Sequence, residues 1–255
     1  CQSVKGDARK TCRADFSYQR IMIYRLAPTE KKKLQQTIRM ALSVPFIAGI
    51  EGYAWEAVFH HVKGLSLPNP HSDKRKKLLF DAIDSRKRIG WSLKAVQKSP
   101  NVGMNFELVI QRADILTKRA VLGFPELTLD ALPALLGRAV LAHWNRKILA
   151  DMQTQNVAQP RIAILCKSNN HRRYALLDQD LQQFSEDELL WSWTDETHNG
   201  LQARLKENDR VTFRWYPNQK QLFQVFMLAP EAFYFEIDIR RFTPNELLER
   251  LILPP

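Results

Sequence analysis

Apolar residues return at intervals of four soon after Pro28. Leu34, Ile38 and Leu42 fall on one face and predict a helix over 31–42, with Thr29 as N-cap and Lys31, Lys32 and Lys33 in its first turn. Beyond Pro45, Ile47, Ile50, Ala54, Ala57 and Val58 form an inward stripe that predicts a second helix over 47–63, stopped by Gly64. The period then changes. Residues 78–83 and 89–96 read as short strands around the turn Asp84-Ser-Arg-Lys-Arg, and Phe106–Ile110 reads as a strand beside the second of them. Leu132, Leu135, Leu136, Val140, Leu141, Trp144 and Ile148 restore helical spacing and predict a helix over 127–150.

Arg161–Cys166 is apolar at consecutive positions, the pattern of a strand covered on both faces, and 172–177 is its expected hairpin partner. Four more strands follow, at 189–194, 210–216, 222–228 and 233–239, with a tight turn at Pro217–Lys220. A helix over 242–251, capped by Thr243, closes the chain. Tyr18–Arg25 is open between a short strand and a helix entry, and 1–18 reads as a loose basic arm or tag-like extension. The order of elements implies an α/β protein: a central mixed β-sheet flanked by helices, with a β-rich C-terminal part.

Charge changes this picture by dividing the chain. Residues 1–120 hold 23 Lys/Arg against 10 Asp/Glu, a net of +13, whereas residues 121–255 hold 15 against 17, a net of −2. The positive half favours a polyanionic partner, nucleic acid before an acidic membrane surface. Cys1, Cys12 and Cys166 make neither a disulfide framework nor a metal-ligand spacing, so reduced thiols and a cytoplasmic location are expected. No apolar run is long enough to span a bilayer, and no secretory h-region stands near the start.

The chemistry-bearing stretch lies in the basic half. If the strands at 78–83 and 89–96 pair, Asp81 and Lys94 approach one another beside the sheet. A carboxylate and an ammonium placed there can hold a divalent ion and orient a water; the ordinary alternative is a hairpin with two solvated charges. Asp84 reads as a turn residue, with replacement of Asp81 as its alternative. Glu51 reads as a solvated helix residue, and Glu56 is open between a functional and an ordinary helix glutamate. His60-His61 reads as helix surface or the edge of the core, since no second His/Asn pattern accompanies it.

Gly52-Tyr-Ala-Trp-Glu56 on a helix, Asp81 in Leu-Phe-Asp-Ala-Ile, and Lys94 in Trp-Ser-Leu-Lys-Ala resemble the PD-(D/E)xK nuclease superfamily, with a layout similar to type II restriction endonucleases. The likeness covers 47–110 and extends over 127–177 through helix–strand order alone. It implies a nuclease-like α/β core over 19–180, with 181–255 packed on it as a β-rich part that contributes to DNA recognition. It also implies Mg²⁺-dependent cleavage of double-stranded DNA, with Mn²⁺ as another usable ion. Asp81 is then the central metal ligand, Glu56 the second, and Lys94 the residue that positions water or neutralises charge.

The chain departs from the pattern at Ser92, where the family has Asp or Glu two residues before the lysine. Gln97 and Glu56 are the candidates to compensate, and fewer fixed negative charges imply weaker metal binding. Lys74, Arg75, Lys76 and Lys77, with Arg86, Lys87 and Arg88, are candidate phosphate contacts. Arg214, Asn218, Gln219 and Lys220 on the later hairpin combine base-reading side chains on a β-ribbon. Trp191 and Trp193 fit the core of the β-rich part better. A restriction-type enzyme further implies a homodimer on a palindromic site and a cognate DNA methyltransferase. The rival classes are a non-catalytic DNA-binding protein on the same fold and a repair or RNA-processing nuclease.

Overall fold

A computed structural model of the protein describes residues 22–67 and 78–252. The basic arm at 1–18 and the cluster Lys74–Lys77 lie outside the described residues. The rest is mixed α/β, with two five-stranded sheets flanked by helices.

Helix α1 (Pro28–Ser43) buries Leu34, Ile38 and Leu42, the expected stripe. Its N-cap is Ala27 and not Thr29; the Glu30 carboxylate accepts the Ala27 N–H at 2.9 Å and closes the first turn. Helix α2 (Gly52–Lys63) is shorter than its apolar pattern, because Glu51 is extended and Gly52 has φ of 47°. Its buried side is Trp55, Val58, Phe59 and Val62, and Gly64 ends it in the left-handed region as expected.

The first sheet has the order β1-β2-β4-β5-β10, built from β1 (Ala82–Asp84), β2 (Ile89–Gln97), β4 (Gln159–Lys167), β5 (Arg173–Asp180) and β10 (Phe233–Glu236). β2 and β4 are parallel and the other pairs antiparallel. β4 is buried on both faces: Ala163 and Leu165 belong to the core under α1 and α2, while Ile162, Ile164 and Cys166 belong to a second core. That second core is filled by α4 (Pro133–Thr154) and the inner face of the other sheet. α4 begins at Pro133 because Leu132 before it is extended, and a proline without an N–H suits the first helical position.

The second sheet is wholly antiparallel, with order β3-β9-β8-β7-β6, from β3 (Asn105–Arg112), β6 (Leu189–Trp193), β7 (Leu201–Leu205), β8 (Val211–Tyr216) and β9 (Gln221–Met227). Two sequence expectations are corrected here. β3 does not lie beside the lysine strand; it pairs with β9, and β4 takes the place beside β2. The strand at 78–83 is reduced to β1, because 79–80 bonds to the end of a helix instead. Leu79 N–H donates at 2.6 Å to Oδ2 of Asp151, in the last turn of α4. Phe80 exchanges bonds of 3.2 and 2.9 Å with the amide of Gln155, the residue that caps that helix.

The short helix α3 (Ile115–Leu122) was not legible in the sequence. The closing helix α5 (Pro244–Ile252) has the expected Thr243 cap: Glu246 N–H donates to Thr243 Oγ1 at 3.2 Å, and Thr243 N–H to Glu246 Oε2 at 2.7 Å. β3 joins the later sheet and β10 the earlier one, so the two sheets interleave along the chain. Trp191 packs against Gly137 of α4, and the ring of Trp193 stacks on His198 at 4.4 Å.

Candidate active-site cleft

Asp81 stands just before β1 and is fixed through three backbone-directed contacts. Its N–H donates to Trp91 O at 2.8 Å, and its carboxylate Oδ2 accepts Leu93 N–H at 2.8 Å. Its carbonyl faces Nε2 of the buried His60 at 3.0 Å, and Nδ1 of that ring lies 2.8 Å from Ser66 O. His60 is therefore a buried tie from α2 to the Asp81 backbone, further inside than the expected edge of the core. Lys94 sits on β2, beyond the Leu93 N–H that Asp81 accepts.

Glu56 from α2, Asp81 and Lys94 all line one cleft of about 790 Å³. Its other wall comes from β3, α3 and α4: Val109, Gln111, Arg112, Lys118, His143 and Lys147. Arg112, Lys118, His143 and Lys147 were not among the candidates the sequence offered. His143 and Lys147 are four apart on α4 and share a helical face, which is the signal that could have paired them. Lys147 Nζ lies 2.7 Å from Asp151 Oδ2, the same carboxylate oxygen that accepts Leu79 N–H. His143 donates its Nε2–H to Arg112 O at 3.1 Å, which leaves Nδ1 as the acceptor. Burial, with a lesser push from the charges of Lys118 and Lys147, holds that imidazole below its ordinary pKa and favours the neutral ring.

Other expected site residues stand elsewhere. Ser92 is 1% exposed and does not line the cleft. Gln97 is three residues from Lys94, hence on the opposite face of β2, and its Nε2 donates to Asn169 Oδ1 at 3.3 Å. Asp84 is a turn residue: its Oδ1 accepts Arg86 N–H and Lys87 N–H, both at 3.1 Å. Arg86, Lys87 and Arg88 are exposed but sit at the far end of β2, where Arg88 is about 20 Å of strand from Lys94. On the later hairpin, Arg214 pairs with Glu107, and Lys220 Nζ lies 2.8 Å from Asp114 Oδ2; Asn218 and Gln219 at the turn are exposed.

Glu51 is solvent-exposed as expected, but it does not stand on the helix. It precedes α2 and its Oε1 lies 2.5 Å from Nζ of Lys167, an ammonium only 1% exposed that also donates to Ile50 O at 3.1 Å. The bond from Lys167 and its positive charge hold the Glu51 carboxyl below its ordinary pKa.

Among the described residues no group of three His, Cys, Asp or Glu side chains is placed to hold a metal ion. A tetrahedral Zn²⁺ site takes three or four converging protein ligands, and among the described residues no such group converges. Two carboxylates in one cleft do match the donors of a hard cation such as Mg²⁺, which keeps several waters and takes one or two carboxylates plus substrate oxygens. No described helix is long and apolar enough to cross a membrane. No family model matches the chain, and no curated protein or solved structure is significantly similar to it.

Proposed function

We propose that the cleft hydrolyses phosphodiester bonds, and that the protein is a Mg²⁺-dependent, sequence-specific double-stranded DNA endonuclease of the restriction-enzyme kind, on a PD-(D/E)xK-like core. The observation that carries this reading is the convergence of Glu56, Asp81 and Lys94, from three separate segments, on a single cleft. The α4–β4–β5 order, helix then strand pair, is the one on which the resemblance rests over 127–177.

Asp81 and Glu56 would hold the ion, which supplies Lewis-acid stabilisation of charge on the phosphate. The Leu93 N–H anchors the Asp81 carboxylate through Oδ2 and so fixes its place in the cleft wall. Lys94 orients the attacking water or neutralises charge as it builds on the phosphate. Arg112, Lys118 and Lys147 on the facing wall attract and orient the polyanion. Cleavage of both strands at a palindrome calls for two such clefts related by a two-fold axis, hence a homodimer.

The test is cleavage of supercoiled plasmid with Mg²⁺ or Mn²⁺ by the wild type, Asp81→Ala and Lys94→Ala. Loss of nicking by about 10²-fold or more in both variants is expected, as for removal of a group acting in the transition state. Equal nicking by all three proteins rules the site out. A second reading, a DNA-binding protein that does not cut, is favoured by the sealed position of Ser92, which offers the cleft no third ligand. Binding of the duplex without cleavage by the wild type in either ion would establish it.

A further inference from the structure

The cleft continues along two strands that belong to different sheets. β2 brings Lys94 into the cleft, and Lys98, just past its end, lines a second groove of about 580 Å³. β3 runs from Asn105 and Glu107 in that groove to Val109 and Arg112 in the cleft. The same two segments therefore wall both hollows. The groove's charged lining is Lys98, Arg210 and Arg214 against one acid, Glu107. Nε of Arg210 and Nε of Arg214 are buried with no hydrogen-bond partner among the described residues. What the groove offers an oxyanion is therefore the charge and remaining N–H donors of the two guanidiniums that line it, with the Lys98 ammonium.

We propose that this groove holds the backbone of duplex DNA whose scissile phosphate lies in the cleft, with Lys98, Arg210 and Arg214 on its phosphates. The inference rests on the nuclease reading of the cleft. From Val109 to Asn105 a strand advances about 13 Å, which at about 3.4 Å per phosphate along one DNA strand places these contacts about four base pairs from the scissile bond. Glu107 competes with the phosphate for Arg214 and sets how strongly the groove binds.

The measurement is fluorescence anisotropy with a labelled duplex of about 30 base pairs and the full chain in EDTA, where no cut is made, from about 50 to 300 mM salt. For Lys98→Ala/Arg210→Ala the slope of log K against log salt should fall by about 2, with binding about 10- to 100-fold weaker at about 100 mM. Glu107→Gln should bind about 3- to 10-fold tighter, a gain that damaged folding cannot imitate. Wild-type slope and affinity in the double variant, or no gain in Glu107→Gln, overturns the groove while leaving the cleft reading intact if the wild type still cuts plasmid. Failure of the wild type both to bind the duplex and to cut plasmid overturns the two together. Tighter binding of the single strand than of the duplex overturns the duplex assignment.

Discussion

Asp178 on β5 carries a carboxylate that is 2% exposed, with the indole Nε1–H of Trp91 donating between its two oxygens at 3.2 and 3.3 Å. Burial pushes its pKa up to about 6; the positive charges of Lys63 and Arg161 and the Trp91 bond pull it down, and Glu30 adds to the rise. Relative to an ordinary value of 3.8, a folded value of about 6 corresponds to roughly 3 kcal/mol of differential stabilisation of the neutral form. The sign follows from proton binding. Between the two values the folded protein holds this proton more tightly than the unfolded chain, so stability from this group is fully present below about pH 4. It is lost as the pH rises through about 6. Asp178→Asn keeps an acceptor for Trp91 and removes the cost of ionisation. The difference in unfolding free energy between the Asp178→Asn variant and the wild type should therefore grow in favour of the variant, by about 2–3 kcal/mol from about pH 4 to pH 7. The amide's own new N–H donors shift both ends of that range together and leave the slope unchanged. Urea unfolding followed by tryptophan fluorescence at intervals of about one pH unit across that range measures it. A difference that stays constant with pH, or that moves against the variant as the pH rises, refutes the reasoning.

Gly137→Ala in α4 tests packing against propensity. Alanine favours a helix by about 1 kcal/mol, but the new Cβ would fall inside van der Waals distance of Cγ and Cδ2 of the Trp191 indole, a rigid group. Net destabilisation by about 1–2 kcal/mol is expected in thermal or urea unfolding, and a stabilised variant contradicts the packing. Glu51→Ala leaves the Lys167 ammonium in its buried place, bonded to Ile50 O and without its counter-charge. The Glu51 side chain is 68% exposed, so a discounted loss of about 1–2 kcal/mol is expected in urea unfolding, shrinking with added salt; no loss means the pair does not matter.

Features that a segment settles by itself were legible. The α1 stripe, the Gly64 stop, the Thr243 cap and the Asp84 turn each depend on residues within a turn or two of one another. The two-sided apolar pattern of β4 announced a strand buried on both faces, and the spacing of Asp81 and Lys94 around a basic turn left room for the cleft that both line. Glu56, which the sequence left open between a functional and an ordinary helix glutamate, lines the same cleft. Period-two spacing also put Gln97 on the wrong face of β2 for the part first considered for it.

What the tertiary structure decided was which segments meet. An alternating pattern gives β3 a face but not a neighbour; β9 is its partner, and the apolar residues of both belong to the core that α4 and the first sheet share. Residues 79–80 could not be read as non-strand while Asp151 and Gln155, far along the chain, were not yet beside them. Glu51 met Lys167 across 116 residues, and Arg112, Lys118, His143 and Lys147 became the second wall of the cleft through the approach of α4 and β3. Local periodicity encodes which side of an element is apolar. Which apolar sides close on one another is set by the packing of the whole chain, and that packing gave the carboxylates their basic wall.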